Sequence, residues 1–355
     1  MSNNDKHYRA AVGIRGDCLY CPLPFSIDSY WNCEIDCHHC YLRRLNRTWG
    51  MDLRPADPDE VGQKLMNGLK NPNPQTSLAW AMKLKKTLRL GNKTDPYQPA
   101  ELIHRVSRRI QLLLVKLNWS YVIQTKFLDN LSEDDEVMSK ASELGILTIM
   151  PVITPGAESD REVLERGRTT PIDVRLKLIE SWIRRGWNVG VNGEPFIPGY
   201  HTPGMFRDML KRLKAAGVRS YNTYNLHMND HVAKRFVEIG LDLERIWEHN
   251  QDKIWRPIQR DLCNIAAEEG MVLGCPDFVN VNPDWRARSN TCCGITVPNP
   301  SRYNAHFWRH LVQKGVDRDG VLAKTWEGIG DKAQGERIVM GDGTCDFFTL
   351  RDAGL

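Results

Sequence analysis

The stretch Phe25-Ser-Ile-Asp-Ser-Tyr-Trp-Asn-Cys33-Glu-Ile-Asp-Cys37-His-His-Cys40-Tyr41-Leu-Arg-Arg-Leu45 decides how this chain is read. Residues 25–31, mostly aromatic or apolar, read as a strand, and residues 41–45 begin a helix. Between them lies a C-x3-C-x2-C loop. Three thiolates on one short loop can hold three irons of a cubane cluster and leave the fourth iron open to a bidentate ligand. Zinc is the competing reading, with His38 or His39 as the further ligand. A loop at the C-terminal end of a strand is where α/β barrels place their chemistry.

Outward from this loop, strand and helix patterns alternate. A short strand is expected at 77–82 or 86–90 and a helix over 99–117. A strand over 121–127 and a helix over 133–144, stopped by Gly145, come next. An apolar strand over 146–153 reads as buried on both faces. A helix over 173–185, a strand over 188–192, a helix over 203–216 and a strand over 219–226 complete about six βα units. The fold class is therefore α/β, a partial (β/α)6 TIM-type barrel with a C-terminal extension. Residues 1–24 form an N-terminal segment, 25–245 the barrel and 246–355 an extension covering the barrel mouth. That extension holds Trp247, Trp255, Trp285, Trp308 and Trp326 and many turn residues. There is no internal repeat and no low-complexity segment.

The 355 residues include ten cysteines, and none falls between Cys40 and Cys263. Hydrophobic residues make up 41% and charged residues 26%, a globular composition that excludes a disordered or collagen-like chain. No run approaches the roughly eighteen apolar residues of a membrane helix, and MSNNDKHYRA lacks the apolar core of a secretory signal. The expected compartment is a reducing cytoplasm, that of a host cell if the source is viral. Thiols there serve metals or catalysis rather than disulfides.

Four stretches resemble the radical S-adenosylmethionine (SAM) enzymes, and among them the spore photoproduct lyase-related branch. The first is Cys21-Pro-Leu-Pro-Phe-Ser-Ile-Asp-Ser-Tyr30 with the three-cysteine loop that follows. The second is Gly91-Asn-Lys-Thr-Asp-Pro-Tyr-Gln-Pro-Ala-Glu101, where the superfamily contacts the SAM amino group. Arg175 and the loop Pro195-Phe-Ile-Pro-Gly199 are the weaker third and fourth. The resemblance covers residues 18–245. It implies a 4Fe-4S cluster on Cys33, Cys37 and Cys40, and SAM as the second cofactor. SAM cleavage to a 5′-deoxyadenosyl radical then leads to hydrogen abstraction. It further implies an electron donor such as flavodoxin or ferredoxin and a DNA or nucleotide substrate. Of the branch's reactions, isomerisation or hypermodification of a modified thymine is preferred to repair of a thymine dimer, because the tail does not match the lyase. The superfamily commonly has an aromatic residue before the third cysteine; here it is His39, whose imidazole can still stack on adenine.

The remaining site candidates each carry two readings. Thr94 and Asp95 contact SAM or cap a helix before Pro96. Thr125 and Lys126 contact cofactor or substrate, or form a strand-end surface pair. Glu165 reads as a solvated loop carboxylate. Arg175 is a SAM contact or an exposed helix arginine. Tyr221, Tyr224 and His227 contact substrate or relay a radical, or pack in the core. Cys292 and Cys293 are candidate hydrogen donors. With Cys18, Cys21 and Cys275 they are also candidates for an auxiliary iron–sulfur cluster or zinc, or else are buried inert thiols.

Net charge is +4, and residues 246–355 carry 13 Lys and Arg against 15 Asp and Glu, so the positive excess lies in the barrel part. Arg43, Arg44, Arg47, the lysines of 83–89, Arg105, Arg108, Arg109 and Lys116 could follow a phosphate backbone or form a solvated face. Two further function classes stay open. One is a radical SAM enzyme acting on a peptide or small molecule. The other is a zinc- or cluster-bearing nucleic-acid-binding protein without catalysis. No membrane partner is expected.

Overall fold

The structure, a computed structural model, describes residues 8–9, 11–14, 23, 25–42, 52–74 and 76–274. The expectations for Cys18, Cys21, Cys275, Cys292, Cys293 and Cys345 lie outside these residues. So do those for Arg43, Arg44 and Arg47, for the helix start beyond residue 42, and for the tail past residue 274 with Trp285, Trp308 and Trp326.

The fold is mixed α/β and is built on parallel strands that follow chain order. Strand β1 (Val12–Ile14) runs antiparallel to β2 (Phe25–Ile27). From β2 onward the pairing is parallel, through β5 (Leu88–Leu90), β6 (Tyr121–Thr125) and β7 (Leu147–Pro151). Parallel bridges Ile149↔Val189 and Val152↔Asn192 lead to β8 (Val191–Asn192). Strands β9 (Ser220–Asn222) and β10 (Val272–Gly274) follow, again parallel. Chain-ordered parallel strands joined by helices are the connectivity of a partial α/β barrel. All five residues of β7 are buried, as a strand covered on both faces requires.

The helices bury one stripe each. In α1 (Pro58–Lys70), Val61, Leu65 and Gly68 are buried, and Asp57 caps the start by accepting the Asp59 N–H at 2.8 Å. Helix α8 (Ile172–Arg184) buries Ile172, Arg175, Ile179 and Trp182. Helix α9 (Pro203–Ala215) starts on the Thr202 cap with Pro203 at its first position. Helix α10 (Asp230–Glu238) starts on Asn229, whose side chain accepts the Val232 N–H at 3.0 Å.

Several expected elements differ. Residues 25–31 are not one strand: β2 ends at Ile27, and β3 (Tyr30–Trp31) pairs separately with β4 (Arg54–Pro55). Residues Ser77–Lys83 form helix α2, so the strand is the later candidate, β5. The expected helix 99–117 is two, α3 (Glu101–His104) and α4 (Val106–Lys116), broken where Arg105 takes a left-handed φ of 51°. The Glu101 carboxylate fills the break by accepting the Ser107 and Arg108 N–H groups, each at 3.0 Å. Two further helices, α5 (Leu128–Ser132) and α6 (Asp135–Glu143), follow β6, and α7 (Ala157–Val163) follows β7.

The sequence reading closes the barrel part at residue 245, yet the sheet continues to Gly274. Helices α11 (Leu243–His249) and α12 (Asp252–Glu268) are regular, and β10 pairs with β9. Trp255, Leu262 and Ile265 of α12 are buried in the main core.

Candidate active site

The cysteine loop after β3 and residues at or just past the C-terminal ends of β5, β6, β7, β8 and β9 surround a cavity of about 220 Å³. Cys33, Cys37 and Cys40 all line it, together with His39, Thr94, Asp95, Lys126 and Tyr224. With His227, nine of the expected site residues are thus gathered around one space. Thr125, Arg175 and Tyr221 are not in its wall.

The cysteine loop is pinned on every side. Asn32 and Asp36 take left-handed φ values of 72° and 58°, conformations that Asn and Asp adopt more readily than other side chains. The Asn32 side chain accepts the Cys33 N–H at 2.9 Å. Gln98 accepts the Glu34 N–H at 2.7 Å and donates to the Asn32 carbonyl at 3.2 Å. Glu34 in turn accepts the Ala100 N–H at 2.7 Å. On the far side the His38 N–H bonds to the Leu164 carbonyl at 2.8 Å. Burial pushes the Cys33 thiol up to about 12, with the nearby Asp95 carboxyl adding to the rise. Burial raises Cys37 as well, opposed by the Lys126 ammonium.

Among the described residues no three His, Cys, Asp or Glu side chains are grouped as a single bound ion requires. A 4Fe-4S cluster is held differently, by thiolates that each bind a separate iron. Three thiols from one loop around one cavity fit that donor set. His39 lines the same cavity. Desolvation, then the Lys126 ammonium, lowers its imidazole to about 3, so the ring is neutral, and its Nδ1 is buried without a hydrogen-bond partner.

The turn after β5 is shaped by residues far away in sequence. The Asp28 carboxylate accepts the Asn92 and Lys93 N–H groups at 2.8 and 2.7 Å. Gly91 sits at φ 85°, and a Cβ there would lie 2.4 Å from Pro96 Cδ. Thr94 donates to the Tyr30 carbonyl at 3.1 Å, tying the turn to the strand that enters the cysteine loop. Asp95 caps no helix, because α3 begins only at Glu101. Its carboxylate instead accepts the Tyr97 and Lys126 N–H groups at 2.9 and 2.7 Å and the Thr125 hydroxyl at 2.5 Å. Thr125 therefore serves Asp95 and is fully buried rather than a surface residue.

Lys126, Glu165 and Arg175 form a buried ion network. Lys126 Nζ is 2.5 Å from Glu165 Oε1, and Arg175 Nη2 is 2.7 Å from Glu165 Oε2. Arg175 also donates to the Thr170 and Val152 carbonyls at 2.7 and 2.5 Å. Two expectations are corrected here. Glu165 is 1% exposed, not a solvated loop carboxylate, and Arg175 is 0% exposed, neither a surface arginine nor in the cavity wall. Burial alone would raise Glu165, but the Arg175 guanidinium and the Lys126 ammonium outweigh it and hold the carboxyl well below its usual range.

The three residues read off the last strand separate. Tyr221 is core: its hydroxyl donates to the Ile153 carbonyl at 2.9 Å and its ring packs edge-on against Phe206. Tyr221→Phe is expected to cost about 1–2 kcal/mol in urea unfolding and to leave metal binding by the cysteine loop unchanged. Tyr224 and His227 do line the cavity, their rings stacked at 5.1 Å, and Tyr41 packs on His227 at 4.9 Å.

Sequence reasoning missed several wall residues. Gln124 Oε1 and Asn92 Nδ2 are buried polar atoms without hydrogen-bond partners, and both side chains line the cavity. Glu194 lines it too and accepts from Asn222 Nδ2 at 3.0 Å. Their signal is position: each sits at or just past the C-terminal end of a parallel strand. The basic stripe reads differently in three dimensions. Arg105, Arg108 and Arg109 pair with Glu133, Asp134 and Asp59 at 2.7, 2.7 and 3.2 Å. Among the described residues no helix is long and apolar enough to cross a membrane.

No family model matches the chain. Uncharacterized proteins of Mycobacterium tuberculosis and Mycobacterium bovis are each 24% identical to it over 214 residues, 58% of this chain and 60% of theirs. The chain thus spans about 60% of the length of the curated relatives it matches. Among solved structures, spore photoproduct lyase superposes with a TM-score of 0.56 at 12% identity, over 75% of this chain and 80% of that one. The chain shares the fold of that lyase.

Proposed function

We propose that this chain is a radical SAM enzyme. The observation that carries the reading is the convergence of two turns on one cavity at the strand C-termini. The C-x3-C-x2-C loop brings three thiols there, and the turn Gly91–Glu101 brings Thr94 and Asp95. Cys33, Cys37 and Cys40 hold the 4Fe-4S cluster. Bound there, the cluster supplies the one-electron reduction that cleaves SAM to a 5′-deoxyadenosyl radical. His39 offers a neutral ring for stacking. Lys126 places a cation in the wall for a carboxylate, and Asn92 and Gln124 offer a donor and an acceptor that the protein leaves unpaired. Thr125, outside the wall, holds the Asp95 carboxylate in place.

For the substrate we propose a modified thymine base in DNA, isomerised or hypermodified after hydrogen abstraction. The fold shared with spore photoproduct lyase supports a nucleobase substrate, and the partly exposed rings of Tyr41, Tyr224 and His227 give the cavity a face on which a base can stack. Repair of a thymine dimer is the second reading on the same fold. A peptide or small-molecule substrate is the third. A low-potential donor such as flavodoxin or ferredoxin would supply the electron, and a cytoplasmic setting suits the thiols.

The test is anaerobic reconstitution with iron and sulfide, reduction, and assay of 5′-deoxyadenosine. Release of 5′-deoxyadenosine is expected, stimulated by DNA carrying the modified thymine and weakened by salt. No release with any substrate class would leave a non-catalytic metal protein. Release indifferent to DNA would move the substrate to a peptide or small molecule. Nucleoside mass spectrometry of source DNA, with and without the gene, identifies the base.

A further inference from the structure

Arg235 lies on α10, about two hundred residues from the cysteine loop, and is 7% exposed. Its guanidinium makes three contacts to that loop. Nη1 donates to Asp36 Oδ1 at 2.7 Å and to the Cys37 carbonyl at 3.3 Å, and Nη2 donates to the Asp36 carbonyl at 2.8 Å. The planar fork spans the left-handed Asp36, the residue at which the loop turns between Cys33 and Cys37. On the other oxygen of Asp36, Arg166 Nη1 binds at 2.5 Å. Two guanidinium groups therefore share one carboxylate, and the collar around the loop is net positive.

A third cation, Lys126, stands beside Cys37 and is opposed by Glu165, while Asp95 faces Cys33. The collar is separate from that network. A cubane on three thiolates gains one negative charge when it accepts an electron, and a nearby cation favours the reduced form. The low dielectric of a buried contact strengthens the effect.

Resting on the cluster assignment above, we infer that Arg235 is a positioning residue for the cluster. It fixes the backbone of the Cys33–Cys37 turn and, with Arg166 across Asp36, supplies the positive charge that raises the cluster's midpoint potential.

The test is redox titration of the reconstituted holoprotein, followed by electron paramagnetic resonance, with iron counted per chain. Wild type is expected to hold about four irons per chain. R235Q removes the charge and is expected to titrate at a more negative potential than wild type. R235K keeps the charge and is expected to recover most of that shift, with looser iron retention because one ammonium cannot span three acceptors. D36N removes the opposing carboxylate, so its potential is expected to move the opposite way, above wild type. A merely structural contact would not shift the two variants in opposite directions. R235Q holding wild-type iron at the wild-type potential would overturn the inference. If R235Q fails to retain iron, D36N decides: a raised potential supports the inference, an unchanged or lowered one overturns it. A wild-type chain that binds no iron and releases no 5′-deoxyadenosine would overturn the cluster reading and this inference with it. Wild-type iron and turnover with silent variants would sink the inference alone.

Discussion

Cys37→Ala is expected to abolish 5′-deoxyadenosine formation and to lower bound iron well below the wild-type content, while the chain stays folded. The thiol stands at the middle of the loop and is 7% exposed. In the proposed cluster it holds one iron alone, and no other thiol of the loop can replace it, because Cys33 and Cys40 are committed to the other two. Deleting one buried sulfur from a half-open loop costs only about 1–2 kcal/mol of packing. The loop also keeps its backbone anchors to Leu164, Gln98 and Arg235. Loss of activity without loss of fold is the signature, read as iron per chain beside a urea melt. Cys33→Ala and Cys40→Ala should do the same. Retained SAM cleavage in any of the three would remove that cysteine from the site. Wild-type iron near eight rather than about four per chain would add a second cubane and give the remaining cysteines a role.

The cysteine loop was legible because its information is local: three thiols at fixed spacing between a strand and a turn. The long parallel strands were legible for the same reason, through apolar runs such as 146–153 bounded by Gly145. Residues 77–82 were ambiguous, since a short apolar run such as Leu78–Met82 suits either strand or helix until its neighbours are known. What held the site together was not legible. Asp28 anchors the Asn92 turn across 64 residues, and Arg235 reaches Asp36 across 199. Nothing in the local sequence marks either side chain as a partner. Glu165 misled in the opposite way. A carboxylate in a polar loop between arginines looks solvated, and only the packing of α8 beneath it reveals that both its oxygens are spent on buried cations.

That burial makes the loss of Glu165 costly to the fold. Glu165→Gln keeps the shape but leaves the Lys126 ammonium and the Arg175 guanidinium buried with no counter-ion. Breaking a buried pair in this way costs about 3–5 kcal/mol, against 0–1 kcal/mol for an exposed pair such as Lys140–Glu143. Arg175 keeps its bonds to the Thr170 and Val152 carbonyls, so the loss is electrostatic rather than a collapse of the network.

The pH dependence separates these causes. The folded-state pKa of Glu165 lies below its unfolded value of about 4.3. Its ionised form therefore stabilises the wild type fully above that value, and the contribution fades as pH falls from there toward the lowered folded pKa. The variant lacks the contribution at every pH. The gap in unfolding free energy between the two should be widest near neutrality and narrow below about pH 4. A gap that stays constant with pH would mean that Glu165 acts by packing alone. Adding Arg175→Met to Glu165→Gln should recover part of the loss, because it removes one of the two stranded charges. Lys126 remains in the cavity wall in the double variant. Its ammonium, no longer neutralised by Glu165, should then hold a ligand carboxylate more tightly even where stability is restored, which ties the buried network to the site it supports.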